Sequence, residues 1–449
     1  MTTIECDVLV MGGGPAGSTA AALLAQAGRD VVLVEREIHP RFHIGESLLP
    51  RNMALFETLG VMDAVRAIGV HKPGAEFVSD ETGQSIAFAF QNALDARYGH
   101  AWQVRRDALD EILFRNAATH GARTMERTRI RSVAFSTGRA PGPTPGRATV
   151  QADGPDGPAI FRPRYVLDAT GRDALIASTT RQRRANKVQR TAALYAHFTG
   201  MPRRAGHEGY ITIHLTDDGW FWTIPLPNDV ISVGFVGNAS AFKDRRGTAS
   251  DLFYDRIRRS PTLHARMGQA TAVTEVFSAA NYAYRSTVAH GPQHMLIGDA
   301  YGFVDPMFST GVLMAMEGGK RGAEAAHVAL DDPARGQAAA AAAARDLGRA
   351  MDRISWLIHR INEPALRRLF FAPRNVLRMR DGLINLIAGN LGGGWRAELP
   401  VLAFKGVYLA TKTFGRFDPA PLPAPAPEPA PELAPELVAE LVAELAAAQ

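Results

Sequence analysis

Cysteine is nearly missing from this 449-residue chain, and the single Cys6 excludes a disulfide scaffold and any cysteine-built metal centre, so no metal is expected. Cys6 lies in an apolar segment and reads as a small core residue. No stretch reaches the roughly eighteen uninterrupted apolar residues of a membrane span. No basic-then-apolar leader precedes the first apolar segment, and a cytoplasmic location is expected. Arginines are dispersed and no aromatic-interleaved basic strip is present, so no nucleic-acid partner is expected. With 46% hydrophobic residues the chain can bury large cores in two or three packed domains. Its net charge of +5 hides an asymmetry: the segment from Asp418 onward holds six acids and no Lys or Arg, leaving +11 on the remainder. Such a body suits an acidic carrier protein or an anionic lipid surface, and equally suits solubility alone.

What is present begins with an apolar strand, Asp7-Val8-Leu9-Val10, running into Met11-Gly12-Gly13-Gly14-Pro15-Ala16-Gly17, an apolar helix stopped at Gly28, and a second strand, Val31-Val32-Leu33-Val34-Glu35. The order is that of a dinucleotide-binding βαβ unit. Gly12 serves the tight turn, Gly14 lets backbone approach a pyrophosphate, and Gly17 lets helix and strand pack closely. The helix opened by Ala16 and Gly17 presents free N–H groups to the phosphates. Glu35 falls where a ribose diol is held.

Further along, Gln103-Val104-Arg105-Arg106 is a strand end turning into an amphipathic helix, and a Pro/Gly-rich hairpin loop follows at 138–146. Tyr165-Val166-Leu167-Asp168-Ala169-Thr170-Gly171 and Met295-Leu296-Ile297-Gly298-Asp299-Ala300 are apolar strands stopping at small-residue turns. Between them, period-two alternation such as Tyr210-Ile211-Thr212-Ile213-His214-Leu215 predicts an antiparallel sheet. The expected organisation is an α/β nucleotide-binding domain (1–184, returning at 286–335), an inserted antiparallel sheet substrate domain (185–285), a helical C-terminal region (336–417) and a disordered Pro/Ala/Glu-rich tail (418–449). The basic, aromatic stretch Arg353–Arg380 suits an amphipathic helix, packed on the protein's own body in preference to a peripheral membrane contact.

Three separated turns, at 12–17, 168–171 and 298–300, together with Arg106 in a Val-x-Arg-x-x-Leu-Asp-x-x-Leu frame, resemble the glutathione-reductase-type FAD-binding fold of class A flavin monooxygenases, geranylgeranyl reductases and flavin-dependent halogenases. Four local motifs are similar to those of the halogenases. Trp220-Phe221-Trp222-Thr223-Ile224-Pro225 matches W-x-W-x-I-P, and Phe303-Val304-Asp305-Pro306-Met307-Phe308-Ser309-Thr310-Gly311 matches F-x-x-P-x-x-S-x-G. Arg41-Phe42-His43-Ile44-Gly45-Glu46-Ser47 resembles the segment after the first acid, and Lys72-Pro73-Gly74-Ala75-Glu76-Phe77 supplies K-x-G-x-x-F, where that family keeps its catalytic lysine.

The resemblance implies a two-component enzyme in which reduced FAD, dioxygen and chloride or bromide yield hypohalous acid. Lys72 then delivers it to an electron-rich aromatic or activated acyl substrate, including one held on an acyl carrier protein. It implies FAD contacts at Gly12, Gly14, Ala16, Gly17, Glu35, Arg41, Ser47, Arg106, Asp299, Gly311 and Val312, and halide contacts at Thr310 and Gly311. Trp220 and Trp222, on one face of a strand, would keep substrate from the flavin or simply fill a domain interface. Ser309 reads equally as a helix N-cap, and Lys72 as an exposed turn lysine. No second dinucleotide motif is present, so a separate flavin reductase is the expected partner. Phe308 stands where tryptophan halogenases place a glutamate, which points to the phenol-, pyrrole- or aliphatic-acyl-halogenase branch. Two other readings stay open: a hydroxylase or geranylgeranyl-type reductase on the same fold, and a non-catalytic FAD-binding protein that recruits a membrane or partner.

Overall fold

A computed structural model describes residues 2–95, 97–135, 146–185, 191–242, 247–280, 283–373, 375–392 and 395–414. Most of the hairpin loop expected at 138–146 and the tail at 418–449 lie outside the described residues.

The apolar runs that announced the nucleotide-binding half form a parallel sheet. The strand Thr2–Met11 is flanked by Gly157–Asp168 on one side and Val31–Val34 on the other, with Arg123–Met125 and His294–Leu296 beyond them. Its central strands are buried on both faces, which is why they read as continuous Val/Leu runs. The helices Pro15–Gln26 and Gly311–Asp331 pack together on this sheet. Gly28, at φ +77°, takes the left-handed conformation just past the first helix, as a helix stop should. Cys6 is a core residue, and burial pushes its thiol up to about 12.

The second sheet differs from its expected bounds. Thr191–Thr199, Ile211–Leu215, Gly219–Pro225 and Ile231–Asn238 do form an antiparallel array. The sheet is completed, however, by Gly74–Ser79 and Ser85–Ala89 from the N-terminal part of the chain, and Ile211–Leu215 pairs with Gly74–Ser79 in parallel. It is therefore mixed and is not confined to 185–285. The reason lies in Ala75-Glu76-Phe77-Val78-Ser79, a wholly buried strand whose apolar run lacks the period-two signal. The alternation seen in the sequence also has a different origin from a solvated face, because both faces are covered. Leu194, Ala196, Phe198, Phe221 and Phe235 form a second core under the helices Ala249–Arg259 and Pro261–Met267, while Tyr195, Ile211, Ile213, Trp220 and Trp222 face the nucleotide-binding half. The polar members of the alternation are buried and paired: His214 with Thr262 at 2.7 Å, and Ser232 accepting from the Trp222 indole at 3.1 Å.

The C-terminal helices Pro333–Ile358, Pro364–Phe371, Met379–Ile387 and Trp395–Phe414 lay their apolar residues, among them Ile354, Leu357, Leu366 and Phe370, into the main core. Most apolar residues of the amphipathic stretch thus pack on the body, while Val376 and Leu377 stand exposed. No helix among the described residues is long and apolar enough to cross a membrane.

The first βα turn brings backbone close to backbone. A Cβ on Gly17 would sit 1.9 Å from the Gly12 carbonyl oxygen, and one on Gly12, at φ +107°, would sit 2.3 Å from the Ala169 carbonyl oxygen. Neither neighbour is a flexible side-chain end. Gly17→Ala is therefore expected to lower Tm by about 2 °C or more, on the order of 2 kcal/mol or more, and to weaken FAD retention in equilibrium dialysis; an unchanged Tm would refute the close approach.

Candidate active site

A cavity of about 770 Å³ runs along the ends of the parallel strands and under the second sheet. That volume lies in the range of cofactor sites, about 300–1,000 Å³. At one end stand Gly12, Gly14, Ala16 and Glu35, at the other Trp220 and Trp222. Gly14 is open there, since an added Cβ would meet only the Arg41 guanidinium, at 3.6 Å. The Pro15–Gln26 helix begins at that point without a side-chain cap, which leaves its first N–H groups for an anion. Gly17 does not line the cavity and works through packing. The Glu35 carboxylate accepts from Gly13 N at 2.8 Å and Glu37 N at 3.0 Å, and so is held at the cavity wall by the loop it terminates.

The segment 41–47 forms one side. Arg41 reaches Glu35 at 3.5 Å and Asp110 at 3.8 Å. Arg106, expected as a direct FAD contact, has its fork committed: two N–H groups grip the Asp110 carboxylate at 2.9 and 3.1 Å and a third donates to the Ile44 carbonyl at 2.8 Å. It still lines the cavity, and its bonds show it positioning the 41–47 segment. Asp299 lines the cavity close to Arg172, and burial raises its carboxyl to about 6. Asp168, by contrast, is spent on its own turn, accepting from Thr170 and from Ile176 N.

The two tryptophans share a face, as their spacing requires, with ring centroids 5.9 Å apart, and both line the cavity while being buried. Their indoles are anchored differently: Trp222 donates to Ser232, and Trp220 to Asp305. The second contact ties the W-x-W motif to the F-x-x-P motif. Asp305 is buried, which raises its carboxyl to about 7 despite the bonds from Trp220 and Met307 N. After it, Ser309 adopts φ +57° and ends the Pro306–Phe308 turn, so the N-cap of the Gly311–Asp331 helix is Thr310 and not Ser309. Thr310 makes no side-chain cap bond, and its buried Oγ1 has no partner. Ser309, Gly311 and Val312 line the cavity; Thr310 sits just behind them.

Lys72 is not an exposed turn residue. It ends the strand Gly69–Lys72, is 1% exposed, and does not line the flavin cavity. Its Nζ donates to the Leu48 carbonyl at 2.8 Å and lies 5.2 Å from the Phe90 ring centre. Burial without a carboxylate partner pushes its pKa down to about 7. The following strand carries Phe77, which packs on Phe308 at 5.7 Å and on Phe370 of the Pro364–Phe371 helix at 4.8 Å. The position where a glutamate was not found is therefore filled by an aromatic cluster.

One buried pair escaped sequence reasoning. Glu46 Oε1 lies 2.7 Å from His197 Nε2, joining the 41–47 segment to the second sheet, and Glu46 lines the cavity. Residues 151 apart with no shared motif gave no signal of it; only the Gly-Glu-Ser sequence flagged Glu46.

A long cavity across several strand ends, a glycine loop at one end and an aromatic wall at the other, defines a dinucleotide flavoprotein. Residues 5–338 match the family described as FAD binding domain. The chain is 35% identical over 314 residues to a tryptophan 2-halogenase of Chondromyces crocatus, covering 69% of this chain and 58% of that one. It is 29% identical over 341 residues to a 1H-pyrrole-2-carbonyl-[peptidyl-carrier protein] chlorinase of Pseudomonas fluorescens, covering 70% and 74%. Among solved structures, the myxobacterial chondrochloren halogenase superposes with a TM-score of 0.71 at 28% identity, covering 88% of this chain and 99% of that one. The chain belongs to the family described as FAD binding domain, and the relatives reported above are flavin-dependent halogenases. It spans about three-fifths of the length of the first curated relatives it matches.

The lysine geometry has a thermodynamic signature. A Lys whose folded pKa is about 7 against an ordinary 10.5 penalises folding fully below pH 7, and the penalty fades as pH rises from 7 to above 10. Lys72→Met is expected to raise stability at pH 6 by about 2 kcal/mol after the lost hydrogen bond is counted, with the gain shrinking above pH 7. Urea unfolding at pH 6, 8 and 10 measures this, and a variant less stable than wild type at pH 6 would contradict the burial.

Proposed function

We propose that this chain is a flavin-dependent halogenase that receives reduced FAD from a separate reductase and uses Lys72 to direct hypohalous acid onto a substrate outside the flavin cavity. Bound FAD, when reduced, supplies the dioxygen chemistry that oxidises halide. The glycine loop and Glu35 hold its adenosine end, and Asp299, Gly311 and Val312 its flavin end. The N–H groups at Thr310 and Gly311, at the positive end of a 21-residue helix, bind the halide without a full positive charge. Trp220 and Trp222 wall the cavity so that the organic substrate stays away from the flavin.

The observation that carries this reading is the placement of Lys72. A lysine buried to near-neutral pKa, bonded only to a backbone carbonyl and screened from the flavin cavity, serves neither flavin binding nor a structural ion pair. It can hold hypohalous acid by hydrogen bonding when charged or form a haloamine when neutral, and either way it fixes the position of an otherwise indiscriminate electrophile. Phe308 within its aromatic cluster leaves no carboxylate at that position to remove the ring proton, which favours a substrate activated by its own hydroxyl, a pyrrole or an acyl group. The basic body fits delivery of such a substrate on an acidic carrier protein.

With FAD, an added flavin reductase, NADH, oxygen and bromide or chloride, the protein is expected to halogenate a phenol or carrier-bound pyrrole. Lys72→Ala is expected to lower product at least 100-fold while FAD remains bound. A hydroxylated product in the presence of halide would establish the monooxygenase reading instead, and full activity in Lys72→Ala would remove the lysine from the mechanism.

A further inference from the structure

We propose that Gln103, with Ser47, is a positioning residue that guides hypohalous acid from the flavin cavity to Lys72; this rests on the halogenase reading above. The strands Gly69–Lys72 and Ala101–Val104 pair antiparallel, with Lys72 opposite Ala101 and Val70 opposite Gln103. On its other side the second strand meets Ser47 in a single bridge to Gln103. Cross-strand partners and alternate residues share a face, so Ser47, Gln103, Ala101, Val70 and Lys72 all project to one side of this small ladder, and His71 and Trp102 to the other. Ser47 lines the flavin cavity; Lys72 does not. The shared face thus runs from the cavity wall to the lysine.

Its polar groups are unusual. Ser47, Gln103 and Lys72 are all buried, at 4%, 0% and 1% exposure, yet Ser47 Oγ and Gln103 Oε1 have no hydrogen-bond partner. A buried unpaired polar atom costs about 1–3 kcal/mol, and two adjacent ones on one face mark a place where a polar ligand belongs. Gln103 is not loose: its Nε2 donates to the Gly209 carbonyl at 2.9 Å, which fixes the direction of the free oxygen. Gln103 and Lys72 stand diagonally across the ladder, with Ala101 and Val70 at the other two corners of this face.

The chemistry fits a small neutral molecule with one O–H. Hypohalous acid can donate to Gln103 Oε1 and exchange hydrogen bonds with the Ser47 hydroxyl. At Lys72 its oxygen can accept from Nζ. No bond to halogen forms or breaks before the lysine, so Ser47 and Gln103 need no redox or proton balance of their own. An apolar lining would not hold the oxidant, and a charged or thiol-bearing one would bind it too tightly or consume it. Methionine and cysteine, which it would oxidise, are absent from the ladder strands and from residues 41–48.

The test is the partition of oxidant. Gln103→Leu and the smaller Gln103→Ala, neither of which adds an oxidisable group, are assayed with FAD, reductase, bromide and a phenol, in the presence of taurine to trap oxidant that escapes. Both variants are expected to bind FAD within twofold of wild type. Halogenated phenol should fall at least fivefold, while trapped oxidant rises to make up the difference. A purely structural role would lower phenol product and trapped oxidant together, and that result, or an unchanged partition in both variants, would overturn the proposal. If wild type itself yields no oxidised bromide in either pool, the halogenase reading fails and the guide fails with it.

Discussion

A lysine ammonium buried without a counter-charge is costly to hold, and the segments around Lys72 are arranged so that the cost is borne. Its one hydrogen bond, to the Leu48 carbonyl, comes from the same segment whose preceding residues, Glu46 and Ser47, form the flavin-cavity wall. That segment is held at Ile44 by Arg106, at Glu46 by His197, and along its length by backbone bonds from Leu48 to Trp102 and from Val104 to Glu46. Removing water from Lys72 therefore depends on a segment held by both the nucleotide half and the second sheet.

Asp305 is the counterpart. It too is buried, with its carboxyl raised to about 7 while Lys72 is lowered to about 7. One acid and one base are brought close to neutrality by the same physical cause, desolvation, and they are not paired with each other. Trp220 also stands beside Asp305, which joins the tryptophan motif to the loop that leads to Thr310 and Gly311.

Much of this was legible in the sequence because the determining signals were local. The βαβ unit is a run of contiguous residues with steric demands at Gly12 and Gly17, and the spacing of Trp220 and Trp222 dictates a shared face. The second sheet was legible as strands but not as a sheet, because Gly74–Ser79 joins it from more than a hundred residues away and its burial on both faces erases the alternation. The same non-locality hid Glu46–His197 and the alignment of Ser47, Gln103 and Lys72, since strand register and domain contact are not written in any short window. Arg106 was found by its motif, but its bonds to Asp110 and Ile44 assign it to holding the loop. The lysine was identified by resemblance alone; its burial, which turns that resemblance into chemistry, required the packing of Phe90 and the segment through Leu48.

Packing that holds Lys72 at the edge of neutrality is tested most directly by an NMR titration of the FAD-bound protein carrying 13Cε-labelled lysine. With six lysines in the chain, the Lys72 resonance can be assigned by its loss in Lys72→Met. Its expected midpoint is near 7, well apart from the other lysines; a midpoint near the ordinary 10.5 would contradict the burial.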